Sequence, residues 1–169
     1  MSRSAHPAGP RHADAPPDPA AAPAPSRPGE LDPAIWPASA TRRDGVLHLG
    51  GIAVPQLAAE HGTPAFFLDE ADLRGRARAF QDAFAGADVF YAGKAFLCGT
   101  VARWLDADGL GLDVCSGGEL AVALRAGFPP ERIAMHGNNK SAAEIARAVD
   151  AGVGRIVVDS LDEIPRVAA

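Results

Sequence analysis

Five short apolar runs recur along this chain at a nearly fixed interval, and that interval narrows the possible folds more than any other feature. The runs are Ala65-Phe-Phe-Leu68, Val89-Phe-Tyr-Ala92, Gly111-Leu-Asp-Val114, Arg132-Ile-Ala-Met-His136 and Arg155-Ile-Val-Val158, and their ends lie 24, 22, 22 and 22 residues apart. Each is followed by a stretch with helical character, as in Leu73, Ala77, Phe80 and Phe84, whose spacing would line one helix face. Ser116 with Glu119, Ser141 with Glu144 and Ser160 with Glu163 repeat the S-x-x-E capping pattern directly after three of the runs, and Gly109, Gly127 and Gly152 stand where helices should stop. A repeated strand-helix unit predicts an α/β fold with a parallel sheet covered by helices. Either an open doubly wound sheet or a (β/α)8 barrel would satisfy it. About five units cannot close a barrel, which takes roughly 250 residues, so a barrel reading makes this chain part of one.

Composition sets the boundary of the folded part. Ten of the fifteen prolines precede residue 45, mixed with alanines as in Ala15-Pro-Pro-Asp-Pro-Ala-Ala-Ala-Pro-Ala-Pro25. Such a stretch buries too little apolar surface to offset its chain entropy. Residues 1–44 are therefore expected to be a disordered tail, with 45–169 as the folded region. That region opens on a short strand, Val46–Leu49, and a helix, Val54–His61, with Pro55 in its first turn and Gly62 at its end.

Over the 169 residues, 47% are hydrophobic and 22% charged, which is a globular composition. The net charge of −5, with scattered basic residues, gives no footprint for nucleic acid. Cys98 and Cys115 are too few for a disulfide framework and lack zinc-type spacing, so no metal is expected and a reducing cytoplasm fits. No apolar run reaches membrane-spanning length.

In parallel α/β folds, chemistry gathers where the strands end. Lys94 stands there for one strand, Asp113 and Cys115 for the next, His136 and Asn138 for the third and Asp159 for the last. An ammonium closing the apolar run Asp88-Val-Phe-Tyr-Ala-Gly-Lys94 needs either an exit to solvent or a chemical purpose. On the inner lip of a barrel it would be partly desolvated, leaving more of it as the free amine that attacks an aldehyde. A lysine in a strand-helix loop reaching water satisfies the same sequence, and position alone leaves both open. Ser116-Gly-Gly118, at a helix start, is compatible with cradling a phosphate.

Three longer motifs add a resemblance. Tyr91-Ala-Gly-Lys-Ala-Phe96 resembles the lysine motif of the pyridoxal-phosphate decarboxylases of ornithine, diaminopimelate and arginine, which are built on an alanine-racemase-type barrel. Gly109-Leu-Gly-Leu-Asp-Val-Cys-Ser-Gly-Gly-Glu-Leu120 and His136-Gly-Asn-Asn-Lys-Ser141 are similar to the diaminopimelate members, as is Leu57-Ala-Ala-Glu-His-Gly-Thr-Pro64. The resemblance covers about residues 46–169. It implies pyridoxal 5'-phosphate as cofactor, a small amino-acid substrate, meso-2,6-diaminopimelate, and L-lysine and carbon dioxide as products in lysine biosynthesis. It further implies a cytoplasmic homodimer. Carried over, Lys94 is the amine that holds the cofactor and moves a proton at the substrate carbon. Ala92 packs near the cofactor, and Asp113 is the strand-end carboxylate. Glu119 is either a second acidic site residue or a plain capping residue. His136 either lines the cofactor site or is a rim histidine satisfied by its neighbours.

The family also carries a histidine that stacks on the cofactor ring, a glycine-rich phosphate loop, a Glu-Pro-Gly-Arg segment and a C-terminal β domain, for which residues 1–169 offer no counterpart. The expectation is an N-terminal fragment, inactive alone. Competing readings are a non-catalytic pyridoxal-phosphate barrel, an inactive α/β fragment and a doubly wound nucleotide-binding sheet. For the last, Gly109 and Gly111 are followed by Asp113 and Val114, where a third glycine belongs.

Overall fold

A computed structural model describes residues 29–168, which fall into two compact units, one ending at Phe67 and one starting at Leu68. The first unit is built on tight turns. β1 (Thr41–Arg43), β2 (Val46–Leu49) and β3 (Ile52–Ala53) form an antiparallel meander with Arg43 opposite Val46 and Leu49 opposite Ile52. Both hairpin loops have two residues with positive φ, Asp44 (49°) with Gly45 (78°) and Gly50 (57°) with Gly51 (83°). That geometry matches the twist of antiparallel strands and favours Asp-Gly and Gly-Gly. The α1 helix (Val54–His61) follows, burying Leu57 and stopping at Gly62 (φ 79°).

The tail boundary drawn from composition is thus too late. Thr41–Arg43 is a paired strand, and Asp32 accepts the backbone N–H groups of Ile35 and Trp36 on its carbonyl and that of Ala34 on its side chain. Backbone pairing within a hairpin needs little apolar area, so composition did not signal it. Residues 1–28 lie outside the described residues.

The second unit starts with α2 (Glu70–Ala83), capped by Asp69, whose carboxylate accepts the Asp72 N–H. There follow β4 (Phe90–Ala92), α3 (Gly99–Ala107), β5 (Gly111–Val114), α4 (Gly117–Arg125), β6 (Ile133–Met135), α5 (Ala142–Asp150), β7 (Arg155–Ile156) and α6 (Ile164–Ala168). The four strands form one parallel sheet in the order β4-β5-β6-β7. Sequential order without a reversal is the arrangement of a barrel wall, whereas a doubly wound sheet reverses at a switch point.

Four of the five expected strands therefore form. Residues 65–68 join no ladder among the described residues, and Phe66 is fully exposed. Strand propensity alone does not make a strand, because an extended segment needs a neighbour for its hydrogen bonds.

The core lies between sheet and helices. Leu112 and Val114 of β5, Ile133 and Met135 of β6, Val101 and Leu105 of α3 and Leu120 of α4 are buried, each large aliphatic side chain contributing about 1.5–3 kcal/mol. Asp108, after α3, accepts two bonds from the Arg74 guanidinium at 2.8 and 2.6 Å, and this holds its carboxyl below the usual carboxylate range. Gly109, Gly127 and Gly152 have φ of 78°, 81° and 74°, as stop positions require. On α2 the predicted apolar face is only half used. Ala77 is buried, but Phe80 and Phe84 are exposed and stack on each other with centroids 6.4 Å apart.

Candidate active site

The carboxyl ends of β4 to β7 bring the predicted residues to one rim. Ala92 pairs with Asp113, and Asp113 with Ala134, so a carboxylate stands between two methyl side chains across three strands. Asp113 is the half-buried position of a strand otherwise buried.

Lys94 follows β4 on a 3₁₀ turn, Gly93–Ala95. Gly93 is buried, and a Cβ there would lie 3.0 Å from the Asp113 carbonyl oxygen, so only glycine lets the turn lie this close to β5. The Tyr91 hydroxyl donates to the Phe96 carbonyl at 2.9 Å and braces the turn from the far side; burial pushes that phenol up. The Lys94 side chain is exposed rather than desolvated, because it projects past the last ladder bond, and it has no hydrogen bond or ion pair among the described residues. It shares this end of the sheet with the other charges. Burial, then Asp113 and Glu119, push the Cys115 thiol up, while the ammonium groups of Lys94 and Lys140 pull it down.

His136 follows β6, its N–H donating to the Val114 carbonyl at 2.8 Å. Its half-exposed ring sits between two carboxylates, with Nδ1 3.6 Å from Asp113 and Nε2 3.9 Å from Asp159. Ligand-type atoms of Asp113, Cys115 and His136 all lie within 4.8 Å of one another, so three polar groups converge here. Asn138 and Asn139 are exposed.

Ser116-Gly-Gly118 does not cradle a phosphate, because the chain's own carboxylates occupy the start of α4. The Gly117 N–H donates to Glu144 at 2.7 Å, the Glu119 N–H to the Ser116 hydroxyl, and the Cys115 N–H to the Glu119 carboxylate at 2.5 Å. The geometry thus gives Glu119 a capping role.

Residues 70–169 match the pyridoxal binding domain of pyridoxal-dependent decarboxylases. The chain belongs to that family. The diaminopimelate decarboxylase of Mycobacterium tuberculosis is 59% identical to this chain over 141 residues, covering 82% of this chain and 32% of the relative. That of Mycobacterium leprae is 53% identical over 170 residues, covering 97% of this chain and 36% of the relative. The crystal structure of diaminopimelate decarboxylase from M. jannaschii in complex with L-lysine superposes with a TM-score of 0.70 at 29% identity, covering 77% of this chain and 32% of the other. The chain spans about a third of the length of the relatives it matches. These matches favour the barrel over the doubly wound sheet.

Sequence reasoning missed one residue beside the rim and left another open. Tyr91 reads as an ordinary strand aromatic, and Lys140, one of only two lysines in the sequence, reads either as ordering a loop above the site with Asn138 and Asn139 or as a solvated neighbour of a helix cap. Lys140 is instead buried, with 2% of its surface exposed. No local signal reveals this, since besides Gly137 in its own loop its acceptors, Val157 and Glu163, come from the connection after β7.

Proposed function

We propose that this chain is the cofactor-binding portion of a diaminopimelate decarboxylase, with Lys94 as the amine that holds pyridoxal 5'-phosphate. The observation that carries the reading is a partnerless primary amine at the end of β4, on the same rim as the Asp113–His136 pair. The donor set fits the group, since a primary amine is what an aldehyde condenses with. Ala92 and Ala134 put only methyl groups on either side of Asp113 in the ladder.

When bound, pyridoxal phosphate supplies a conjugated sink for the electron pair left behind as the substrate carboxylate departs. The protein's part is placement and proton handling. The Gly93 turn and the Tyr91 hydroxyl fix the base of Lys94, whose Nζ would hold the cofactor in the resting site and, once free of it, would move a proton at the substrate carbon. Asp113 and Asp159 flank the His136 imidazole at its two ring nitrogens. The product pair is L-lysine and carbon dioxide. The relatives are about three times as long as this chain, so turnover is proposed for a protein of that length, acting as a cytoplasmic homodimer, and residues 1–169 by themselves are proposed to be inactive.

The test is turnover by the full-length protein. Lysine should form from meso-diaminopimelate, with none when Lys94→Ala is introduced. Release of cadaverine or putrescine from lysine or ornithine, with diaminopimelate untouched, would contradict the substrate assignment.

A further inference from the structure

Lys140 Nζ donates to the carbonyls of Gly137 and Val157, the latter at 2.7 Å, and lies 3.0 Å from the Glu163 carboxylate, which uses all three of its protons. Glu163 is itself buried, and it also accepts the Asp159 N–H at 3.0 Å. Asp159 is thereby held at its N–H by Glu163, while Lys140, its protons already taken, attracts the Asp159 carboxylate through space at 3.7 Å. The other Asp159 oxygen faces His136, whose opposite nitrogen faces Asp113. The Arg166 guanidinium donates to the Lys140 carbonyl at 3.3 Å and ties the same loop to α6.

A buried ion pair is a poor source of stability, because apolar residues of the same volume often do as well. This pair instead links the loop after β6 to the loop after β7, next to a histidine on the rim. We infer that Lys140, with Glu163, is a positioning residue: it fixes Asp159, and through Asp159 it sets the His136 imidazole at the strand ends. This rests on the proposed reading of that rim as the cofactor site.

The test is a mutant cycle in the full-length protein. Lys140→Met combined with Glu163→Leu removes both charges and strands neither. The pair should melt close to the parent yet lose on the order of tenfold in kcat with KM little changed. Adding His136→Asn to it should cost little more, because both losses pass through one imidazole. Losses that multiply independently, or a parental kcat in the paired variant, would overturn the inference. Should the paired variant fail to fold, Glu163→Gln, which keeps an acceptor for the Asp159 N–H, enters the same cycle with the same expected non-additivity. Borohydride reduction of the cofactor-loaded parent reads the underlying assignment separately. A parent unlabelled at Lys94 refutes the site, whereas a labelled parent with an additive cycle refutes only the role of Lys140.

Discussion

Ala92 and Asp113 are register partners in the parallel ladder of β4 and β5, which sets a methyl side chain of the rim beside a carboxylate. If a flat ring lies above that pair, bulk at position 92 should exclude it. Ala92→Phe is expected to keep the fold and lose at least tenfold in affinity for pyridoxal phosphate, on the order of 1.4 kcal/mol or more. Absorbance titration together with a thermal melt checks both halves.

Gly93→Ala tests the turn under Lys94. The added methyl meets the Asp113 carbonyl at 3.0 Å, a backbone atom that cannot swing aside. A cost of about 1–3 kcal/mol is expected, with weaker cofactor uptake as the turn lifts from β5. Denaturant unfolding gives the first and cofactor titration the second.

Glu144 serves two helices, accepting the Ser141 N–H at the start of α5 and the Gly117 N–H at the start of α4. Glu144→Ala should therefore cost more than one ordinary cap, about 2 kcal/mol in all. Ser141→Ala, which touches only α5, should cost about half as much in the same unfolding experiment.

Acid should weaken the fold through these carboxylates, although they hold their charge longer than ordinary ones. Backbone N–H groups of Ser141 and Gly117 hold the Glu144 carboxyl below the usual range, as the Asp159 N–H and then Lys140 do for Glu163. A carboxyl depressed on folding contributes stability that is complete above its unfolded value, about 4.3, and is lost as pH falls toward the folded value. Denaturation midpoints should be flat above about pH 5 and fall below about pH 4.3. Glu144→Gln should flatten that fall.

Much of the second unit was legible because its signals are local. Strand runs, serine caps and stop glycines sit within a few residues of what they specify, and Ser141 with Glu144 forms the full reciprocal box. The same pattern is met only in part elsewhere. Ser116 caps α4 through the Glu119 N–H, but the Glu119 carboxylate reaches back one residue further, to the Cys115 N–H. Glu163 turns to the Asp159 N–H and the distant Lys140, and Ser160 has no side-chain cap bond.

Asp44-Gly45 and Gly50-Gly51 are hairpin signals that the expected tail boundary ignored, and the proline-rich composition before them drew it too late. Phe80 and Phe84 fit the helical period yet lie outside the core, because period fixes which residues share a face and not what covers that face. Site residues at strand ends followed from topology. The burial of Lys140 did not, since it depends on acceptors that only the folded loops bring together.

The central claim is that Lys94 condenses with the cofactor in a formed site, and chemical trapping tests it most directly. The full-length protein is loaded with one equivalent of pyridoxal phosphate, reduced with borohydride and digested, and the labelled peptide is sequenced. The account predicts stoichiometric label on Lys94, lost in Ala92→Phe although the amine stays exposed. Equal labelling of Lys94 in that variant, or label spread over other amines, would contradict it.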